Sequence, residues 1–313
     1  MFEGKRVAVV VPAYDEERLV VGTLGGIPAF VDRIYVVDDA SRDATAEQAG
    51  AVGDQRVEVI RHERNEGVGA AIVTGYRRAL EEGIDVTCVM AADDQMDPGE
   101  LDALVGPVAR AEVEYAKANR LVSGEAWKVI PRTRYLGNAV LSLLTKIASG
   151  YWHVADSQAG YTALSLAALR RLDLERLYSR YGFPNDLLVH LNVQNARVRD
   201  VPSRPIYDVG ERSGIRLRSV VPRISWLLFK GFWWRMAHKY VIRDFHPLVF
   251  FYAFGVLMTL AGFVLGLVEL VLRIAGNEIT TPTIVLVAVL LIAGLQLTLF
   301  AMWFDMEANK DLR

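Results

Sequence analysis

Two long apolar stretches near the end of the chain constrain its fold more than any other feature. Residues 247–268 form a run of 22 residues without a charged side chain, and residues 282–304 form a run of 23. A helix of about 20 apolar residues is long enough to cross the hydrocarbon core of a bilayer. Two buried core helices are the alternative, but uncharged runs of this length are rare in soluble folds. The short connection between the runs predicts a transmembrane helical hairpin.

Positive charge is concentrated just before the first of these runs. Between residues 216 and 243 there are seven Lys or Arg and no Asp or Glu, whereas Arg273 is the single cation between the runs. Cytoplasmic loops carry this excess of Lys and Arg. The N-terminus does not resemble a signal peptide, because acidic residues soon follow its short apolar run. We therefore expect a multi-pass protein of the cytoplasmic (inner) membrane, with its front domain and both termini in the cytoplasm.

The basic segment also contains many aromatic side chains. They are Trp226, Phe229, Phe232, Trp233, Trp234 and Tyr240. Aromatic and cationic side chains together are typical of a helix that lies in the interface of an anionic membrane, and a helix on the surface of the front domain is the alternative. Pro222 is expected to break the segment into two helices. We therefore predict three parts: a front domain over 1–215, amphipathic interfacial helices over 216–245, and the hairpin with a short tail over 246–313.

The front domain alternates short apolar runs with helical stretches. Strands are predicted over 6–11, 33–37, 57–60, 86–91 and 115–118, and helices over 16–24, 44–51, 68–82 and 99–110. Repeated strand–helix units imply an α/β fold with a mostly parallel sheet, which binds ligands beyond the carboxyl ends of its strands. The net charge of −2 argues against a nucleic-acid partner.

Acidic residues follow three of the predicted strands. The first strand leads into PAYDEE at 12–17, the second into DDASRD at 38–43, and the fourth into ADDQ at 92–95. Since parallel strands end at the same edge of a sheet, these carboxylates are expected to gather there. Carboxylates in such a position can hold a hard divalent cation or bond to a ribose or base.

A glycine-containing segment, NEGVG at 65–69, follows the third strand and opens a helix. It partly matches a dinucleotide-binding loop, but Ile72 occupies the position of the third glycine, which disfavours a dehydrogenase. We expect the glycines to let the backbone turn tightly beside a bound nucleotide.

The ordered set VVPAYDEE, VVDDASRD, NEGVGAA and ADDQMDP resembles the GT-A glycosyltransferases of family 2. The subset closest in pattern is the dolichyl- or polyprenyl-phosphate sugar synthases. The resemblance covers roughly residues 5–215, and it extends to KANR at 117–120 and DSQAGY at 156–161. A C-terminal tail of two spans is also found in that subset. The resemblance implies a Rossmann-like GT-A domain with a mostly parallel sheet.

The resemblance also implies roles for individual residues. Nucleotide and donor binding would fall to Pro12, Tyr14, Glu16, Asp39, Asp93, Arg212 and Arg218. Asp93 and Gln95 would match the metal-binding Asp-x-Gln motif and hold Mg²⁺ or Mn²⁺. Arg120 would lie near a phosphate of the donor or acceptor, and Asp156 would lie near the acceptor, with a turn residue as its alternative role. Arg120 and Asp156 would be catalytic together with Asp93 and Asp186. Acceptor binding would involve Gln158 and Arg216.

One position departs from the family pattern. The family usually has Asp-x-Asp, and Ala91 stands where the first Asp is expected. Asp94 is adjacent to Asp93, but neighbouring side chains on a strand point to opposite faces, so we do not expect a direct replacement. Mg²⁺ is often held by one or two carboxylates together with phosphates and waters, so metal binding is expected to persist.

The implied reaction moves a hexose from a nucleotide-diphosphate sugar to a polyprenyl phosphate with inversion at the anomeric carbon. A UDP-glucose-like donor is favoured, and GDP-mannose is the alternative. The acceptor phosphate is already anionic, so a strong general base is not needed. Asp186, in YGFPND at 181–186, could still act as a base or position the acceptor; its alternative role is to cap a helix over 187–193.

Two other functions remain open at this stage. A processive polysaccharide synthase would carry more spans and a Gln-x-x-Arg-Trp motif. A non-catalytic sensor of sugar nucleotides is suggested by Ala91. We also expect that the glycine-containing hairpin could support a homo-oligomer.

Overall fold

The computed structural model describes residues 1–122, 132–204, 206, 217–278 and 280–313, with the backbone alone for 132–136, 138 and 217–219. The chain divides into two compact units. One contains Met1–Trp233 together with Asp311–Arg313, and the other contains Trp234–Lys310. The segment 216–245, which the sequence suggested as a separate part, is therefore divided between the two units.

The helices and strands of both units follow the predicted order closely. Each of the five predicted strands is present, with ends that differ by at most two residues. The strands are β1 Val7–Ala13, β2 Arg33–Asp38, β3 Val57–Arg61, β4 Val86–Val89, β5 Tyr115–Asn119, β6 Thr162–Ser165 and β7 Val198–Pro202. The helices are α1 Val20–Gly26, α2 Thr45–Ala51, α3 Val68–Glu81, α4 Leu101–Ala109, α5 Arg132–Ser149, α6 Leu166–Leu169, α7 Phe183–Val193, α8 Leu217–Ala237, α9 Leu248–Ile274 and α10 Thr281–Ala308.

The strands of the first unit form one seven-stranded sheet in the order β3-β2-β1-β4-β6-β5-β7. β6 is antiparallel to its neighbours β4 and β5, and the other pairs are parallel. This confirms the α/β fold with a mostly parallel sheet. The carboxyl ends of β1, β2, β4, β5 and β7 consequently meet at one edge, where β6 begins.

Alternating side chains of the strands build a core on each face of the sheet. Along β1, Val9 and Val11 belong to one apolar cluster with α1 and α4, whereas Ala8 and Val10 belong to the other with α3 and α7. Because both faces are covered, the central strands β1 and β4 carry no charged residue, and side chains reach solvent mainly beyond the strand ends. The ends of the strands are therefore the places where polar chemistry is exposed.

Helix α8 continues through Pro222, so the predicted break at this residue is wrong. Pro222 is the sixth of 21 residues in the helix, so it removes one intrahelical N–H while the bonds of the later turns continue the helix. The helix buries Ile224 and Leu228 in the first unit and leaves Trp226 and Phe229 more than half exposed. The helix therefore presents aromatic side chains on its outer face as well as apolar side chains on its buried face.

In the second unit, α9 and α10 are long and apolar enough to cross a membrane, as predicted. They pack along each other through small residues. A Cβ atom added at Gly255 would lie 2.8 Å from the backbone nitrogen of Thr298, and one at Gly294 would lie 2.5 Å from that of Thr259. Only glycine permits so close an approach of the two backbones.

A buried polar cluster ties the segment before the hairpin to the end of α10. Arg235 forms a two-point ion pair with Asp305, with N–O distances of 2.8 and 2.9 Å, and both side chains are fully buried. The Tyr240 hydroxyl donates to Asp305 at 2.8 Å, and Lys239 Nζ donates to Asn309 Oδ1 at 2.7 Å. The division at Trp234 follows from this cluster, since it joins residues 235–240 to the hairpin.

Candidate active site

A pocket opens at the edge of the sheet where β4, β5 and β7 end and β6 begins. Gln95 follows β4, Arg120 follows β5, and Arg204 follows β7, while Gly160 and Tyr161 precede β6. The pocket therefore arises from the topology, because four chain segments turn at the same edge. It brings together Gln95 and Arg120, which the sequence assigned to metal and phosphate binding.

The turn after β4 carries Asp93 and Gln95. Because β4 ends at Val89, these residues lie in a turn, and the alternation of a strand does not govern them. Asp94 has a positive φ of 56°, a conformation that is uncommon for residues other than glycine. The backbone N–H of Gln95 donates to Asp93 Oδ1 at 3.2 Å. Among the residues that the structure describes, no group of three or more His, Cys, Asp or Glu is arranged to hold a metal ion.

The end of β1 is bonded to the loop after β2. The backbone N–H groups of Asp15 and Glu16 donate to the hydroxyls of Ser41 and Thr45 at 3.0 and 2.8 Å. Asp15 has a positive φ of 57°. Pro12, just before this turn, is buried. Tyr14, by contrast, is 37% exposed, and Glu16 is partly exposed. These bonds hold the acidic end of β1 beside that of β2.

The two aspartates at the end of β2 are buried and bonded to protein groups. Asp38 lies 3.2 Å from Arg61 Nε. Asp39 accepts hydrogen bonds from the backbone N–H groups of Glu66 and Gly67 at 2.9 and 2.8 Å, and its Oδ1 lies 2.8 Å from His62 Nδ1. Asp39 thus fixes the turn that opens α3. Sequence reasoning did not single out His62, because its partner lies 23 residues away.

Two glycines at the start of α3 permit a close approach to the segment that precedes α7. A Cβ atom at Gly67 would lie 2.5 Å from the Ser179 carbonyl oxygen, and one at Gly69 would lie 2.3 Å from that of Tyr178. Gly67 also has a φ of 105°. The backbone N–H of Ala70 donates to the Ser179 carbonyl at 3.1 Å. These glycines therefore have a packing role in addition to the predicted turn.

Arg120 and Asp156 form a two-point ion pair at the wall of the pocket. Nε and Nη2 of Arg120 lie 2.8 and 3.2 Å from the two carboxylate oxygens, and Asp156 is 1% exposed. Burial alone would raise the pKa of Asp156, but the Arg120 guanidinium outweighs this effect and holds the pKa below its usual value. The Asp156 carboxylate also accepts the N–H groups of Gln158 and Ala159, both at 3.2 Å.

Gln158 connects this ion pair to helix α7. Its Nε2 donates to Asn185 Oδ1 at 2.9 Å and to Ser157 Oγ, also at 2.9 Å. Asn185 is fully buried and also accepts a bond from the Thr145 hydroxyl at 3.2 Å. Arg120, Asp156, Gln158 and Asn185 thus belong to one hydrogen-bonded network.

Asp186 is next to Asn185 in the first turn of α7. The helix begins at Phe183 with Gly182 as its N-cap, so Asp186 does not cap a helix. Its carboxylate accepts the backbone N–H of Tyr178 at 2.9 Å and lies 3.8 Å from His190 Nε2. Burial raises the pKa of Asp186 to about 6. A carboxyl group with this pKa is mostly ionised at neutral pH and can accept a proton there.

The family model for "Glycosyl transferase family 2" matches residues 8–173. The chain belongs to glycosyl transferase family 2. Two curated relatives each match about two thirds of the chain. The UDP-N-acetylglucosamine--dolichyl-phosphate N-acetylglucosaminyltransferase of Methanococcus voltae is 29% identical over 218 residues, which cover 65% of this chain and 86% of the relative. The undecaprenyl-phosphate mannosyltransferase of Micrococcus luteus is 33% identical over 202 residues, covering 63% and 82%.

Solved structures of glucosyl-3-phosphoglycerate synthase from Mycobacterium tuberculosis share the fold of this family-2 glycosyltransferase. The complex with Mn²⁺, UDP and glucosyl-3-phosphoglycerate has a TM-score of 0.57 and 20% identity, and it covers 74% of this chain and 80% of the synthase. The complex with Mg²⁺ and UDP has a TM-score of 0.55 and 19% identity, covering 74% and 79%.

Three arginines predicted for the family-2 site have side chains outside the described part of the chain. Arg212 and Arg216 lie outside the described residues, as does the side chain of Arg218. Two further residues contact the network around Arg120 and Asp156 although sequence reasoning assigned them no role. They are Asn185, which is adjacent to Asp186, and Lys117, which opens the KANR motif.

Proposed function

We propose that this family-2 glycosyltransferase moves a hexose from a nucleotide-diphosphate sugar to a polyprenyl phosphate at a membrane surface. The observation that carries the proposal is the pocket in which Gln95 and Arg120 meet at the carboxyl edge of the sheet. The names of the Methanococcus and Micrococcus relatives support a lipid phosphate acceptor. These relatives differ in the sugar that they transfer. We favour a UDP-glucose-like donor, with GDP-mannose as the alternative.

A divalent cation, Mg²⁺ or Mn²⁺, would be held by Asp93 and Gln95 with the help of the donor diphosphate. Their oxygen atoms suit hard cations, and the turn after β4 projects beyond the sheet edge. When bound, the cation would neutralise the negative charge of the nucleoside diphosphate leaving group. Tyr14 and Glu16 would line the nucleotide pocket beside Pro12, and Asp39 would shape it through the turn at Glu66 and Gly67.

The acceptor side would use the network around Arg120. A guanidinium can bind a phosphate through two parallel hydrogen bonds, and Asp156 fixes its orientation. Gln158 would position the acceptor through its bonds in the same network. Asp186, ionised at neutral pH, would orient the acceptor or take up a proton. Attack on the face opposite the leaving group would invert the anomeric carbon.

The first unit also carries features that suit a membrane surface. On α8, the exposed rings of Trp226 and Phe229 stack with centroids 5.4 Å apart, and Lys230 Nζ lies 5.3 Å from the Trp226 ring. Exposed aromatic rings beside cations favour the interface of an anionic bilayer. We therefore propose that α9 and α10 span the cytoplasmic membrane and that α8 lies at its surface.

The C-terminal tail bears on the topology. The backbone N–H of Val198, in the edge strand β7, donates to the Leu312 carbonyl at 3.0 Å. Leu312 also packs against the apolar core of the first unit. A chain that leaves this unit before two spans and returns to it after them has both ends of the hairpin on one side of the membrane. This supports a cytoplasmic location for the catalytic unit and both termini. A homo-oligomer formed through the hairpin stays a prediction.

The proposal is tested with membranes that contain the full-length protein, a panel of UDP- and GDP-sugars, and a polyprenyl phosphate. Mass analysis should reveal one lipid product that carries a single hexose, formed together with a nucleoside diphosphate. A lipid or polymer with many sugar residues would favour a processive synthase instead. Nucleotide binding without release of a nucleoside diphosphate from any donor would favour a sensor. Membranes without the protein provide the control.

A further inference from the structure

Lys117 is a fully buried lysine on β5, at the inner end of the network that holds Arg120. It is paired with Asp200 across the β5–β7 ladder. Directly paired residues of neighbouring strands place their side chains on the same face of the sheet. Buried lysines are rare unless a partner compensates their charge. The position of Lys117 therefore requires an explanation from its surroundings.

The surroundings of Lys117 belong to the loop at residues 155–160. Its ammonium group donates a hydrogen bond to the carbonyl oxygen of Ala159. Asp200, its cross-strand neighbour, accepts the backbone N–H of Ala155 at 2.7 Å. Asp156 accepts the N–H groups of Gln158 and Ala159. The loop is thus held at its start by Asp200, at its centre by Asp156 and at its end by Lys117.

The charges around this loop balance in number. Asp156 and Asp200 supply two carboxylates, and Arg120 and Lys117 supply two cations. Burial lowers the pKa of Lys117 to about 8, although both carboxylates act in the opposite direction. Lys117 is therefore mostly protonated at neutral pH. A buried carboxylate without a cation is strongly disfavoured. Lys117 consequently supplies a positive charge that favours the ionised form of both Asp156 and Asp200.

We propose that Lys117 is a positioning residue that holds the loop at 155–160 and, through Asp156, orients the Arg120 guanidinium in the pocket. This role rests on the proposed function, in which Arg120 contacts a phosphate. Lys117 itself does not touch substrate, because its side chain is fully buried beneath the loop.

A double-mutant cycle tests this role. Lys117→Met would leave Asp200 without a cation and could unfold the protein, so the variant is made as Lys117→Met/Asp200→Asn, which removes one charge of each sign. The partner substitution is Arg120→Gln, which keeps a hydrogen-bond donor for Asp156. Lys117→Met/Asp200→Asn should lower kcat/KM for the lipid phosphate by about 10- to 100-fold. In the Arg120→Gln background, it should lower kcat/KM by less than about threefold, because both changes remove the same contact.

Ile34→Ala provides a matched control, since Ile34 is fully buried in β2, which β1, β4 and β6 separate from β5 in the sheet. It should lower the thermal unfolding temperature and leave kcat/KM nearly unchanged. If the losses of Lys117→Met/Asp200→Asn and Arg120→Gln multiply in the combined variant, Lys117 does not act through Arg120 and the proposal fails.

A second measurement separates this proposal from the proposed function. Hydrogen exchange at the amides of Gln158 and Ala159, followed without substrate, should become at least about tenfold faster in Lys117→Met/Asp200→Asn. If exchange is faster in the variant and the wild type transfers no sugar, the proposed function is refuted but Lys117 still holds the loop. If exchange is unchanged in the variant and the wild type transfers sugar, the role of Lys117 is overturned and the proposed function stands.

Discussion

Gln158 and Asn185 are joined by a hydrogen bond of 2.9 Å from Gln158 Nε2 to Asn185 Oδ1. This bond links the loop that carries Asp156 to the helix that carries Asp186. Two carboxyl groups with different environments therefore lie on segments that this hydrogen bond connects. Asp156 is held ionised by Arg120, whereas burial raises the pKa of Asp186 to about 6. In the proposed site, Asp156 is therefore suited to orienting Arg120, whereas Asp186 can exchange a proton near neutral pH.

Asp186→Asn should make the protein more stable and less active. Because its pKa is raised from 3.8 to about 6, the folded state binds the proton more tightly than the unfolded state. The resulting stabilisation is complete below about pH 4 and is lost as the pH rises through 6. The variant avoids the cost of the buried charge, so above pH 6 its free energy of unfolding should exceed that of the wild type by up to about 3 kcal/mol. Thermal unfolding at pH 4 and pH 8 measures the difference.

The same variant tests the role of Asp186 in turnover. The pH–rate profile of the wild type should fall on its acid side near pH 6, and Asp186→Asn should lose this limb together with about 10- to 100-fold in kcat. Asp173→Asn is the control, because Asp173 is exposed and pairs with Arg176 at the surface. A profile of Asp186→Asn with the same acid limb as the wild type would assign that limb to another group.

Asp93→Ala should abolish transfer at saturating Mg²⁺ or Mn²⁺ with little change in thermal stability. Asp93 lies in a partly exposed turn, so its removal leaves the core intact. The affinity for Mn²⁺ in the presence of UDP, measured by calorimetry, should fall with the activity. Wild-type turnover by Asp93→Ala would refute the metal assignment.

Ala91→Asp is the complementary test of this turn. It restores the carboxylate that the family pattern contains and should retain or raise the affinity for Mn²⁺. Asp102→Ala is the control for both variants, because Asp102 is exposed on α4. It should neither lower nor raise the affinity for Mn²⁺. A folded Ala91→Asp variant without activity would show that the turn after β4 is aligned incorrectly with the family motif.

Gly67→Ala and Gly69→Ala should each destabilise the first unit by about 2–4 kcal/mol. The new methyl groups would lie 2.5 and 2.3 Å from backbone carbonyl oxygens, and Gly67 also has a strained φ for alanine. Gly50→Ala is the matched control, since Gly50 lies in α2 with open space around it. It should be neutral or stabilising by about 0.5–1 kcal/mol. Equal unfolding temperatures for all three variants would contradict the close packing at α3.

Arg235→Met should lower the thermal stability of the detergent-solubilised protein by about 3–5 kcal/mol, because Asp305 would be left buried without its cation. Arg235→Met/Asp305→Leu should recover at least half of this loss, since apolar side chains can replace a buried ion pair. Arg223→Met, at an exposed position on α8, should change stability by less than about 0.5 kcal/mol. If Arg235→Met were as stable as Arg223→Met, the Arg235–Asp305 ion pair would have no structural role.

The sequence by itself determined the elements whose signals are local. The uncharged runs fixed both long helices, and the apolar runs before residue 120 fixed five strands, because length and periodicity are properties of neighbouring residues. The family motifs also placed Gln95 and Arg120 beyond strand ends. β6 and β7 were missed, since their pairing with β4 and β5 depends on contacts between distant parts of the chain.

Only the tertiary structure decided how each polar residue is used. Asp38 and Asp39 look alike in sequence, yet one faces Arg61 and the other holds the turn at Gly67. Asp156 became a partner of Arg120, 36 residues away. In the sequence, Lys117 is only the first residue of the KANR motif, whereas the register of β5 and β7 places it opposite Asp200. Hydrogen bonds and ion pairs of buried groups are chosen by three-dimensional proximity, and the local sequence pattern carries no record of that proximity.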